Sequence, residues 1–346
     1  MDLDSGSMAT PVGSESTAEQ PRSLLLHLWW TMVLVFAALG GAGLAVAADR
    51  PGNPVQRPEL TYRADNAAQP WIDRLAQDLG AVDNDATSLS TAGRDVLGEL
   101  QTLDSAAAND ALTAGDGYSA DVSALVAGLH DTLGQAQAAI DRWRLGAVTA
   151  NLFDQIEAAI SAADELPADW ASLAASGRIV ASLVDALNGH DAAVFQATAA
   201  GRDSRWVDAL TLLRGTAADA MGSAMVARDQ LAAAGTVDTL DDLLGRERAY
   251  DGALVALYQY LADGGAQSGD QFKALKAAVA QTQAALPADN GALVVIVGEA
   301  AGPPIADQLL AMETDHGAIN DALDAVHDAK FGAPPIDGGP EETPTP

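Results

Sequence analysis

Apolar positions fall into two kinds of pattern along this chain. From Leu24 to Ala48 they form one segment broken only by His27 and Thr31, and beyond it they recur every three or four residues almost to the C-terminus. A run of that length, at 1.5 Å per helical residue, crosses the roughly 30 Å hydrocarbon core of a bilayer. Trp29 and Trp30 suit an interfacial aromatic belt, and Ala37, Gly41 and Ala45 line one small-residue face suited to close helix contact.

The periodic part predicts helices nearly throughout. After a Pro-punctuated linker at 49–67, Leu75, Leu79, Val82, Ala86, Leu89, Val96, Leu100 and Leu103 mark a first long helix. Ala114-Gly115-Asp116-Gly117 is the predicted reversal. Val122, Val126, Leu129, Leu133, Ile140, Trp143, Phe153, Ile156 and Ile160 then mark a second helix, with Gly146 as a candidate kink. The two are expected to form a long antiparallel hairpin over 68–165. A helical bundle is expected over 166–331, with helices near 168–200, 203–233, 238–263, 269–285, 289–301 and 305–330. Leu166-Pro167-Ala168-Asp169 returns as Leu286-Pro287-Ala288-Asp289 and reads as a reused helix start, with Pro in the first turn and an acid near the positive end. Asp203 and Thr239 are candidate N-caps, and the β-branched run Leu293–Val297 reads as buried helix. The Pro- and Gly-rich end, 332–346, is expected to be a disordered tail. The predicted class is therefore all-α, with a single N-terminal transmembrane helix, a helical hairpin and a bundle.

Charge places this architecture in a setting. The net charge is −30, with 48 acidic against 18 basic residues, and lysine occurs only at 273, 276 and 330. Such a surface repels nucleic acid and anionic lipid, so nucleic acid is excluded as a partner. The absence of cysteine excludes disulfides, thiolate nucleophiles, cysteine zinc sites and a lipidated cysteine anchor. Ala45-Val46-Ala47 satisfies a signal-peptide cleavage pattern, but the long acidic leader and long apolar run favour an uncleaved anchor. Arg50, Arg57 and Arg63 follow the span and only Arg22 precedes it, which on the positive-inside rule leans toward a cytoplasmic domain. A short tail of 1–23 before an N-terminal span is nevertheless the arrangement of an exported domain, since long domains cross largely regardless of flanking charge. The expectation is a single-pass cell-membrane protein, in contact with lipid through 24–48, whose C-terminal domain is extracytoplasmic.

Residues able to carry chemistry are few. His130, His190, His316 and His327 lie beyond the span, each beside an Asp, though sequence neighbours face different sides of a helix. His316 continues the stripe Ile305, Leu309, Met312, Ile319; His190 continues Leu183, Leu187, Val194; Glu247 continues Leu240, Leu243, Tyr250. Glu313 precedes His316 by one turn. His190, Glu247, Glu313 and His316 facing one interior would make part of a carboxylate–histidine metal site. A di-iron bundle, however, needs two Glu-x-x-His helices, and a structural role for each histidine is the favoured expectation. The Asp-rich segments Asp83–Asp85 and Asp238–Asp242 fit solvated turns and caps better than calcium loops, and Arg202, Arg205, Arg214, Arg246 and Arg248 fit helix-surface ion pairs. Nucleophile-elbow, P-loop, zincin and EF-hand signatures are missing from the sequence, and no cofactor is expected.

Arg57-Pro58-Glu59-Leu60-Thr61-Tyr62 after the anchor, Leu187–Asp191 with Gly201-Arg202, Ala249-Tyr250-Asp251-Gly252-Ala253-Leu254 with Leu257-Tyr258, and Leu286–Asp289 together resemble membrane-anchored helical proteins of high-GC bacteria. That resemblance spans most of residues 50–330 and implies an architecture but no activity. The expected function is a non-enzymatic interaction or scaffold module acting through a protein partner or as a homo-oligomer. The alternative, from a different class, is a metal-binding or sensory bundle acting through a membrane partner.

Overall fold

Every described element is a helix or a turn. The computed structural model describes residues 58–232, 237–288 and 290–331. The predicted anchor at 24–48, the N-terminal tail, the linker up to residue 57 and the C-terminal tail lie outside the described residues, while the rest of the predicted linker, 58–67, is helical. The chain divides into Met1–Arg63 and a second unit from Ala64 onward, which contains nearly everything described here.

Helix α1 spans Pro58–Gln101, α2 Ser105–Ala139 and α3 Ala147–Arg202. Helix α4, Trp206–Leu212, continues through a π turn at Leu213–Ala217 into α5, Ala218–Ala232. Helices α6, α7 and α8 span Asp238–Ala262, Asp270–Gln283 and Asn290–Phe331. The apolar positions assigned to α1 from sequence, Leu75 through Leu103, are all buried.

The hairpin reverses elsewhere than expected. Residues 114–117 are helical, and the turn falls at Thr102–Asp104, where Leu103 takes a left-handed backbone (φ 61°). Leu103 is held there by burial and by Asn188 Nδ2, which donates to its carbonyl at 3.2 Å. Asp104 then caps α2 by accepting from the Ala107 amide at 2.9 Å. Gly115 is present for packing rather than turning: a Cβ there would lie 2.0 Å from Trp170 Cζ2.

The predicted second helix is two helices. Ile140 closes α2, a single 3₁₀ turn covers Arg142–Arg144, and α3 begins after Gly146, whose amide donates to Asp65 Oδ1 at 2.9 Å. Trp143, expected in the apolar stripe, is 90% exposed on this loop. Phe153, Ile156 and Ile160 are buried as expected but belong to α3. Arg142 fixes the loop through Asp154 at 2.7 Å and Glu157 at 2.9 Å.

The expected boundary at 166 is likewise absent, because α3 runs unbroken through Pro167. The lost amide and ring clash cost about 3 kcal/mol in a helix interior. Burial of Ala163, Leu166, Trp170 and Leu173 on both sides of the proline offsets that cost. The repeated tetrapeptide does mark a break at its second occurrence, between α7 and α8. Asp83–Asp85 sits inside α1 and not in a turn, whereas Asp238–Asp242 opens α6.

Helices α1, α2, α3 and α8 form an up-down-up-down arrangement. Thr132 faces Asp78, and both Val96 and Leu112 approach Gly177, so α2 runs antiparallel to α1 and to α3. Lys330 pairs with Asp73, His316 with Asp83 and Glu313 with Arg94, so α8 runs antiparallel to α1. Helix α8 bends by 61° just before Pro303-Pro304, where the missing amides loosen the ladder.

Two apolar clusters result. The larger unites α1, α2, α3 up to Leu187, α5, the start of α6 and α8; the smaller gathers Ala193, Ala197 and Ala200 of α3 with α4, the π turn and the later part of α6. Among the described residues α3 is long and apolar enough to cross a membrane by length and composition alone. With 56% of its most apolar window buried inside the protein, it is the axis of the core.

Candidate functional site

Helix α3 passes from one cluster to the other between Leu187 and Ala193, and His190 occupies that junction, completely buried. Helix α6 makes the same passage between Leu244 and Tyr250. It presents Glu247 and Asp251 there, four residues apart and therefore on one face. Asp251 Oδ2 lies 2.8 Å from His190 Nε2. On the opposite edge of the ring, Nδ1 lies 3.6 Å from Asp191 Oδ1 and 4.0 Å from Glu247 Oε2. Both exceed a hydrogen bond, so Nδ1 is buried without a partner, as is Asp251 Oδ1.

Burial opposes a charged imidazole here, but Asp191, Asp251 and Glu247 outweigh it and raise His190 to about 9. Burial pushes the Glu247 carboxyl up to about 7, helped by Asp191 and Asp251 and resisted by His190. The site thus holds more negative charge than the imidazole offsets.

This cluster forms one wall of an open groove of about 550 Å³ between α3, α6, α7 and the start of α8. Val194, Leu243, Leu254, Leu257, Val279 and Leu286 supply its apolar surface, and Phe195 stands at its edge, 70% exposed. Tyr250 and Tyr258 also line it, and burial pushes both phenols above their ordinary range against the pull of Arg202. Gly201 admits the Tyr258 ring, since a Cβ would meet it at 2.5 Å.

Of the four residues singled out as metal ligands, the fold brings two together. His190 and Glu247 meet as their stripes implied; Glu313 and His316 do not join them. Glu313 Oε1 accepts from Arg94 at 2.7 Å, and His316 Nε2 lies 2.7 Å from Asp83 Oδ1. The four-residue set is therefore corrected: α8 turns both side chains toward α1, because its buried stripe runs through Ile305, Met312 and Ile319 beside them. Among the described residues the set with metal-ligand spacing is His190, Asp191 and Glu247, whose donor atoms all lie within 4.8 Å of one another. Sequence reasoning passed over Asp191 and Asp251. The signal for Asp251 was its spacing from Glu247; Asp191 was discounted as a helix neighbour, yet its short side chain folds back beside the ring. Of the arginines, Arg205 and Arg246 make the expected ion pairs, Arg214 bonds Gln259, and Arg202 lines the groove.

The chain matches no protein-family model, no curated protein and no solved structure.

Proposed function

We propose that this chain is a non-enzymatic, single-pass membrane-anchored module whose helical domain stands outside the cytoplasm and works by binding a partner in the α3–α6–α7 groove. The observation that carries this reading is the groove itself: a concave surface where apolar side chains sit among Asp191, Arg202 and Glu247, with an exposed aromatic rim at Phe195. Binding sites are usually concave and combine apolar side chains with placed polar groups. The anchor rests on the uninterrupted apolar run 24–48, and the helical resemblance supports the same architecture.

The natural absence of cysteine makes a direct test possible. Single cysteines at Ser7, Ala120 and Thr198 would be labelled with a membrane-impermeant maleimide in intact cells and in detergent-purified protein. Labelling of Ala120→Cys but not Ser7→Cys in cells is the expected topology, and the reverse overturns it. Thr198→Cys, in the groove, is expected to react several-fold slower in cells than when purified, relative to Ala120→Cys. Equal relative rates overturn the occupied-groove reading.

A further inference from the structure

We propose that His190, Asp191 and Glu247 bind one divalent first-row transition-metal ion, with Asp251 orienting the imidazole from behind. His190 Nε2 is taken by Asp251 at 2.8 Å, which fixes a hydrogen on that nitrogen and leaves Nδ1 as the ring's donor to an ion, which would displace any proton held there. A carboxylate behind a ligating histidine is the recurrent support for such a ligand, since it sets the tautomer and raises basicity.

Nδ1 is fully buried, has no hydrogen-bond partner and faces two carboxylates at 3.6 and 4.0 Å. A proton on Nδ1 reaches neither carboxylate within hydrogen-bonding distance. An ion about 2.1 Å from each donor sets donor–donor separations of roughly 3.0–3.4 Å. The separations from Nδ1, 3.6 and 4.0 Å, come to that range by closing roughly 0.2–1.0 Å, a movement open to the exposed Asp191 and groove-lining Glu247 side chains.

One imidazole and two carboxylates, without thiolate, select ions such as Zn²⁺, Mn²⁺ or Fe²⁺ over the all-oxygen preferences of Ca²⁺ and Mg²⁺. The charge agrees: three carboxylates surround one imidazole, and a dication offsets the excess. Asp191 and Glu247 line the groove, so the ion keeps a face open to it, where water or a carboxylate or imidazole of a partner completes the coordination. The inference needs only this wall and stands apart from the anchor and the occupied-groove reading.

The test uses the full chain in detergent, stripped with a chelator and titrated with ZnCl₂ and, separately, MnCl₂ by calorimetry, with thermal melts at each stage. One ion per chain with micromolar or tighter affinity, and a melt raised by the ion, is the expected result. Glu247→Gln and Asp191→Asn are expected to weaken binding at least tenfold, and Asp251→Asn tenfold to a hundredfold. His316→Gln removes a partly buried histidine contact elsewhere and is expected to leave affinity within twofold. His190→Gln abolishes binding, and the Glu247 and Asp191 variants decide the matter if that chain folds poorly. Binding below a tenth of an ion per chain, or affinity indifferent to Glu247→Gln, overturns the proposal. Metal-free protein whose Thr198→Cys stays protected in cells would overturn the ion and leave the groove reading standing.

Discussion

The pair Gly115 and Gly117 offers a sharp test of the packing, because the same substitution two residues apart should act in opposite directions. Both lie within α2, where alanine is intrinsically favoured over glycine by about 1 kcal/mol. At Gly117, exposed and with nothing within 4 Å of a new Cβ, that preference is the whole effect. At Gly115 the new Cβ would sit 2.0, 2.1 and 2.7 Å from Cζ2, Cη2 and Cε2 of Trp170. Carbon atoms rest at about 3.5–4.0 Å, so the ring must retreat by about 1.5 Å. Trp170 is only 2% exposed and its Nε1 donates to Asp116 at 3.0 Å, so retreat both overpacks the core and breaks that bond. Overpacking costs about 1–3 kcal/mol and a lost hydrogen bond about 1 kcal/mol, against the 1 kcal/mol propensity gain. Gly115→Ala should therefore destabilise by about 1–3 kcal/mol while Gly117→Ala stabilises by up to about 1 kcal/mol. Urea unfolding followed by circular dichroism on the two variants measures this directly. If Gly115→Ala is as stable as Gly117→Ala, the close approach of Trp170 to α2 is wrong.

Two further substitutions follow from local geometry. Burial, with Asp169 and Glu165 nearby, raises the Asp315 carboxyl above its ordinary value, so the folded state binds this proton more tightly than the unfolded chain. Its contribution is fully present below the unfolded value near 3.9 and is lost as pH rises through the folded one. Asp315→Asn should thus stabilise at pH 7 by up to about 1 kcal/mol, with the gain vanishing below about pH 3.9; a gain independent of pH would contradict this. Ser204, exposed and left-handed at φ 59°, ends α3 as a helix cap. Ser204→Gly should raise stability by about 0.5–1 kcal/mol in a thermal melt, and a loss would refute the strain assigned to that cap.

The helical class and most of the core were legible because burial follows the three-and-four spacing, as Leu75 to Leu103 illustrate. The first turn was not, since the glycines at 115 and 117 lie inside a helix and the chain reverses at Thr102–Asp104 instead. Leu103 and Ser204 take left-handed backbones that sequence assigns to glycine, and among the described residues Gly264 is the glycine that does so. Gly115 and Gly201 instead make room for aromatic rings. The stripe from Val122 to Ile160 spans a reversal, and Trp143 within it lies exposed on that loop. At the site, His190 and Glu247 were legible as polar interruptions of apolar stripes. Asp251 was hidden because its importance lies in what faces it across the groove wall, which depends on α3 and α6 being parallel neighbours.

Helix α8 carries a consequence for how the chain is made. It supplies Val297, Ile305, Met312, Ile319 and Val326 to the larger cluster, opposite α1 and α3, the later of which ends at Arg202. Until those last turns leave the ribosome the apolar faces of α1 and α3 have no lid, and the larger core cannot close. The larger core is therefore completed only when the last of the described helices has been made, so the faces it covers stay open to other apolar surfaces for most of synthesis.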